Sequence, residues 1–378
     1  MLGLEPIWRT PYVARSCHRI STRTGHLPLR PTHYNIRRPA SRSAIKIMPV
    51  VLIGLSLLAD VGLIPQAKAF NQNDAITSAL GWLSAHQQPN GSYGGFTEPQ
   101  TAPAAHALWI RFQNSPSVLL SYNWLKNQLQ NSTTWFWGGG GNLKEADVPG
   151  EILYSFVQSN NLALLNKLSQ VTINLTKFQQ SNGGFLGYYD TPSGKQVTSS
   201  VDTAMALLGL IGANGISLSN MTSATNYLLT LQNPSGSFNL TRTLSSNSLY
   251  SLGPEPVSIT ALVVLALRAA SFSVTESHVA SALNYLSNAA SSNFAGHVYA
   301  AALSLVVFAG ISDATDGSLA VSFLLAQQNT DGGFRDVIRS STNSNALDTG
   351  WVAVALQLGG ALCCVGFGGL GGGRRYVM

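Results

Sequence analysis

Four carboxylates mark where this chain could do acid–base chemistry. Asp202 and Glu255 each lie 23 residues after a glutamine that opens a recurring turn, Asp348 lies 20 after another, and Asp147 heads a comparable apolar stretch. Carboxyl groups gathered at one mouth of a cavity can protonate a substrate or hold a cation. The same placement, with Asp202-Thr203 and Asp348-Thr349 at helix starts, also suits capping, because acids in a first turn satisfy free N–H groups and the helix dipole. His106 and His297 fall in apolar stretches, as cavity acids or bases or as satisfied buried side chains. Trp109, Tyr154, Phe156, Tyr299, Phe308 and Trp351 could line an aromatic cavity suited to a cationic intermediate or a flat ligand, or pack a core. The expected site therefore has Asp202, Glu255 and Asp348 as acids, with His106, Trp109, Tyr154, Tyr299 and Trp351 around a ligand. No metal site and no cofactor are expected, and no Ser-His-Asp, P-loop or dinucleotide pattern occurs.

The elements that must position these residues are written in a repeat. Gln87–Tyr93 reads QQPNGSY, Gln179–Phe185 QQSNGGF, Gln232–Phe238 QNPSGSF and Gln328–Phe334 QNTDGGF. All fit one pattern: Gln, three residues, Gly, one residue, aromatic. Each follows an apolar helical stretch, and the starts are 92, 53 and 96 residues apart. That spacing implies a unit of about 46 to 53 residues with two degenerate copies in the gaps, the signature of a repeat architecture. Six helix pairs result, with strand signals too weak to compete. The second helix of each pair is apolar nearly all round, as in Ala204–Leu210 and Ile259–Ala270, which suits a buried inner layer. The first helices are more polar and suit an outer layer. In the turn, glutamine can reach backbone groups at the next helix terminus, glycine permits positive φ, and the aromatic ring packs beneath. Polar loops at 187–200, 239–254 and 336–345 all join outer to inner helices and should cluster at one end.

Residues 1–47 are a basic leader, with nine Arg/Lys against Glu5. Residues 48–69, MPVVLIGLSLLADVGLIPQAKA, have the apolar core and small-x-small end of a secretory signal, giving a mature start near Phe70 and an extracytoplasmic location. An over-extended start, with Met48 as the true one, and an organelle transit peptide are the alternatives. The whole chain is +6 and the leader contributes +8, so the remainder is −2. The basic pI belongs to the leader, and the repeat domain, 70–358, has no basic footprint for nucleic acid. Cysteines occur at 17, 363 and 364 only, which excludes a disulfide framework in the repeats. Residues 359–378 form a glycine-rich tail unsuited to a stable helix, read as a weak membrane or sorting segment or a flexible end.

The Gln-x3-Gly-x-aromatic turn after an apolar helix resembles the QW repeat of squalene–hopene and oxidosqualene cyclases, with Tyr or Phe replacing Trp. Related repeats occur in protein prenyltransferase β subunits. The wider α/α-toroid superfamily includes complement-type thioester domains and cobalamin-carrier α domains. The resemblance covers about residues 72–358 and implies an all-α, (α/α)6 toroid with a central cavity. The chemistries of the family do not carry over. There is no DxDD, the nearest acid pairs being Asp313/Asp316 and Asp331/Asp336, and neither DDxxD nor GCGEQ is present. The repeats contain no cysteine for a prenyltransferase-type zinc site. Together with the signal at 48–69, the resemblance implies an exported, monomeric toroid whose cavity takes a large apolar, isoprenoid-like small molecule, with Asp202, Glu255 or Asp348 as the acid if it is a terpenoid cyclase- or prenyltransferase-like enzyme. A carrier of the cobalamin type and a polysaccharide-active toroid are the alternatives.

Overall fold

Helices that are apolar on every side must be buried on every side, and the architecture follows from that requirement. The computed structural model describes residues 71–95, 97–129, 145–190, 195–241, 256–336 and 343–363. Residues 1–70, Glu255 and the chain beyond residue 363 lie outside the described residues. Twelve α-helices among the described residues form six outer–inner pairs. They are α1 (Gln72–His86) with α2 (Thr97–Phe112), α3 (Pro116–Asn127) with α4 (Asp147–Gln158), and α5 (Leu168–Thr176) with α6 (Ser200–Gly212). Then come α7 (Leu218–Leu229) with α8 (Pro256–Ala269), α9 (Ser277–Ser291) with α10 (Val298–Ile311), and α11 (Ala314–Ala326) with α12 (Ala346–Cys363).

The inner helices α2, α4, α6, α8, α10 and α12 pack each on the next, and α12 returns to pack on α2. The fold is an (α/α)6 toroid. Every residue from Val257 to Leu267 in α8 and from Val298 to Phe308 in α10 is buried, as their all-round apolar sequences require. Two glycines bring inner helices close. A Cβ on Gly150 would lie 2.4 Å from the Met205 backbone, and one on Gly350 2.7 Å from Ala104 N. Five inner helices end at a residue with left-handed φ: Gln113, Asn160, Asn214, Ser271 and Ser312.

The repeated turn is an interlock between neighbouring units. Gln179 Nε2 donates to Gly183 O at 2.9 Å and to Asn220 O of α7 at 2.8 Å. Gln232 likewise bridges Gly236 O and His278 O of α9, and Gln328 bridges Gly332 O and Ala75 O of α1. Gln87 reaches Ser117 O of α3 and the Ser121 hydroxyl. The acceptors are first-turn carbonyls of the next outer helix, which spend a second lone pair on the glutamine, rather than the unpaired groups of a helix end. Three residues further along that helix, a carbonyl meets the turn glycine. Gly91, Gly183, Gly236 and Gly332 all have φ between 88° and 97°. A Cβ on Gly183 would stand 2.2 Å from Ser223 O, and one on Gly236 2.2 Å from Ser281 O.

The aromatic residues Tyr93, Phe185, Phe238 and Phe334 are all 0 % exposed. Their backbone N–H groups donate to the hydroxyls of Thr101, Thr203, Thr260 and Thr349 on the paired inner helix at 2.9–3.0 Å. These threonines are themselves fully buried. Unit five, which lacks the glutamine, reaches a similar placement through left-handed Asn293, Phe294, Ala295 and Gly296. The buried Phe294 packs on Phe323 of α11, centroids 5.7 Å apart.

Asn71 caps α1, accepting the Asp74 N–H at 2.9 Å, and α5 starts at Leu168 behind a short 3-10 turn, Leu162–Leu164. Local structure departs from the sequence reading at two places. The loop at 187–200 folds into a hairpin, β1 (Phe185–Asp190) antiparallel to β2 (Lys195–Ser199), with a bulge at Leu186/Tyr188. Helix α12 continues through Gly359 to Cys363, because Gly359 packs against the Leu305 side chain of α10 and tertiary contact overrides a weak propensity. No helix among the described residues is long and apolar enough to cross a membrane.

Two substitutions test this interlock in urea unfolding of the full chain. Gly183→Ala should cost about 2–4 kcal/mol, from left-handed strain and the clash with Ser223 O. The buried Tyr93 hydroxyl has no hydrogen-bond partner among the described residues, and the equivalent residues are phenylalanines. Tyr93→Phe should therefore raise stability by about 1 kcal/mol.

Candidate functional site

A side chain that touches a non-adjacent inner helix has to cross the ring interior. Trp351 of α12 does so. Its Nε1 donates to Glu151 Oε1 of α4 at 2.8 Å, past the intervening α2. Its ring lies nearly parallel to that of Tyr154 of α4, 12° between planes and 6.5 Å between centroids. Tyr299 of α10 meets Trp351 edge-on at 6.4 Å, and His106 of α2 meets Tyr154 edge-on at 6.2 Å. Four inner helices thus send His106, Glu151, Tyr154, Tyr299 and Trp351 into one group. Tyr154 is half-buried. On α6, Val201, Met205 and Leu208 fall at i, i+4 and i+7, an apolar stripe.

Burial governs the protonation of this group. Desolvation, with a smaller contribution from the Asp147 carboxylate, pushes Glu151 up from 4.5 to about 8, against the opposing Trp351 hydrogen bond. Desolvation lowers His106 to about 4 and raises Tyr154 to about 12. Near neutral pH the interior therefore holds a protonated carboxyl and a neutral imidazole. Glu151 Oε2 has no hydrogen-bond partner among the described residues.

The mouth is built differently. Asp202 Oδ1 accepts the N–H groups of Ala146 and Asp147 at 3.1 Å each, and its Oδ2 accepts the Ser199 hydroxyl at 2.5 Å. Ala146 offers no side-chain cap, so Asp202 of one inner helix caps the preceding one. Gly187 leaves room for this carboxylate, since a Cβ there would lie 1.6 Å from Oδ1. Burial and Asp147 push Asp202 upward, while its hydrogen bonds oppose the shift. Asp348 Oδ2 accepts Asp336 N at 2.8 Å and Asn345 Nδ2 at 2.6 Å. Asp336 in turn accepts Tyr299 N at 3.3 Å, at the start of α10, and stands 3.4 Å from His297 Nδ1. Burial, Asp147 and Asp202 push Glu145 to about 8. Among the described residues, no group of three or more His, Cys, Asp or Glu could hold a metal ion.

The expected ligand-binding residues His106, Tyr154, Tyr299 and Trp351 are brought together. Trp109 is half-buried against the core and makes none of these ring contacts. Of the expected acids, Asp202 and Asp348 have their carboxylates engaged at the mouth, and Glu255 lies outside the described residues. Glu151, the carboxyl actually in the interior, is a residue the acid spacing does not find. Its signal is a lone glutamate in the otherwise apolar run Pro149–Phe156.

Comparisons with known proteins fit this architecture. The family model of the A-macroglobulin TED domain matches residues 154–315, a stretch without cysteine. No curated protein matches the chain. A protein from Actinoplanes aligns with TM-score 0.57 and 16% identity over 77% of this chain and 100% of its own. A variant of the type II terpene cyclase MstE from Scytonema, in complex with its substrate geranylgeranyl dihydroxybenzoate, aligns with TM-score 0.56 and 15% identity over 79% and 100%. An inactive α-1,6-mannanase variant from Salegentibacter, in complex with α-1,6-mannotriose, aligns with TM-score 0.52 and 10% identity over 77% and 100%. The chain is an α/α toroid, the superfamily fold that its repeats resemble.

The raised Glu151 carboxyl makes a pH prediction. Its folded form holds a proton that the unfolded chain releases near 4.5, so its contribution is complete below that pH and is lost as pH rises through about 8. Glu151→Gln keeps an acceptor for Trp351 and cannot ionise. Thermal melts of the two proteins should coincide near pH 4, with the variant gaining steadily up to pH 8.

Proposed function

We propose that the ring interior is a chamber for a large, mainly apolar, isoprenoid-like ligand, and that the protein binds and carries this ligand outside the cytoplasm. The observation that carries the reading is the cross-ring group of Trp351, Glu151, Tyr154, Tyr299 and His106. These side chains come from four of the six inner helices and meet across the ring. Aromatic walls with one or two placed polar groups are the usual make-up of a small-molecule site. Carriage is favoured over catalysis by Asp202 and Asp348, whose carboxylates are occupied by mouth hydrogen bonds. Residues 48–69 supply the export signal in this reading. A ligand-free enzyme of the polysaccharide-active kind would need a pair of carboxyls facing a sugar, and the interior group contains the single carboxyl Glu151.

Native mass spectrometry of protein purified from its own host, with identification of any extracted small molecule, tests the proposal. An apolar isoprenoid-like adduct is expected. It should be reduced at least about tenfold in Trp351→Ala, which removes the ring spanning the interior. A bound sugar or corrinoid, or an adduct unchanged in Trp351→Ala, would overturn it.

A further inference from the structure

The interior group has a composition that a plain hydrocarbon does not need. Three aromatic rings from three inner helices, Tyr154, Tyr299 and Trp351, pack in series, and the middle one, Trp351, bonds a carboxyl that is 7 % exposed. One oxygen of that carboxyl is fixed by Trp351 Nε1, and the other has no hydrogen-bond partner among the described residues. No lysine or arginine is paired with it among the described residues, and Asp147, one turn earlier on α4, adds a second negative group. A wholly neutral apolar ligand would leave the second Glu151 oxygen buried without a partner, a cost of about 1–3 kcal/mol. An anionic head would meet the Glu151 carboxyl with no cation beside it. A cation gains from both features, because ring faces carry negative potential and Glu151 supplies the counter-charge.

We propose that the ligand carries one organic cation, an alkylammonium or protonated amine head on an apolar body, seated among Tyr154, Tyr299 and Trp351 with the Glu151 carboxylate as counter-ion. The inference rests on the chamber reading above and narrows its ligand class. Asp147, on its own helix, is the charged group that acts on Glu151, and the other titratable members of the group are His106 on α2, Tyr154 on α4 and Tyr299 on α10. His106, kept neutral by burial, does not compete for the negative site. Burial holds Glu151 protonated at neutral pH. Arrival of the cation converts that acid to its carboxylate and releases the proton to solvent, so binding and proton release are linked.

The test is calorimetric titration of the full chain at pH 7 with three probes of one chain length, octyltrimethylammonium, octanol and octanoate, in two buffers of different ionisation enthalpy. The ammonium should bind at least about tenfold more tightly than octanol, octanoate should bind weakest, and ammonium binding should release close to one proton. In Glu151→Gln the preference for the ammonium should vanish while octanol binding persists. Octanol binding the wild type as tightly as the ammonium, or a preference that survives in Glu151→Gln, would overturn the cation while leaving the chamber standing. Failure of all three probes to bind the folded wild type would remove the chamber reading, and this inference with it.

Discussion

The glutamine bridge between units is the constraint on which the ring depends. One side-chain amide closes its own turn by bonding the glycine carbonyl, and spends its second hydrogen on the first turn of the next outer helix. The glycine then lets that helix approach to backbone contact, and the aromatic residue locks the turn to the inner helix below. Local turn geometry and inter-unit spacing are therefore set by one residue pattern. Because Gln328 makes its outer bond to Ala75, 253 residues away, the last unit is joined to the first by the same device that joins its neighbours. Gln357 to Ala107 O and Gln72 to Leu356 O add polar bonds across the same seam.

Closure is what creates a site. Glu151 and Trp351 are 200 residues apart and on helices that do not pack side by side. They meet because six parallel inner helices are held at a spacing that leaves their inward side chains within reach across the centre. The mouth and the interior then divide the polar work. Asp202 and Asp336 tie a hairpin and a loop to the starts of neighbouring inner helices, so these carboxyl groups are spent on holding the ring's end in shape. Glu151 is left with one oxygen uncommitted, in surroundings dry enough to keep it protonated.

Much of the fold is legible in the sequence because its determinants are local. The Gln-x3-Gly-x-aromatic turns and the all-round apolar helices can be counted along the chain, and they locate six pairs and their order. The buried threonines are as regular in space as the glutamines but fall 8, 18, 22 and 15 residues after their aromatic partners. Variable loop length hides them from any fixed spacing. The same applies to the site. Aromatic residues on inner helices are readable as candidates, and His106, Tyr154, Tyr299 and Trp351 do converge. A regular interval after the glutamine selects Asp202, yet that interval reports the start of an inner helix, where capping is the local need. Glu151 lies further along its helix, and only ring closure reveals its partner. The hairpin and the continuation of α12 to Cys363 escaped for a related reason, since contacts from distant segments outweigh weak local propensity.

The central claim is that the chain is a ring closed by its own repeat motif, and hydrogen exchange of Gln328→Ala tests it most directly. Removing this amide should accelerate exchange in the 328–334 turn and also in α1, 253 residues earlier in the chain, with units three and four little changed. Acceleration confined to the C-terminal units, with α1 protected as in the wild type, would mean that the units form an open array and that the interior group is not held by closure.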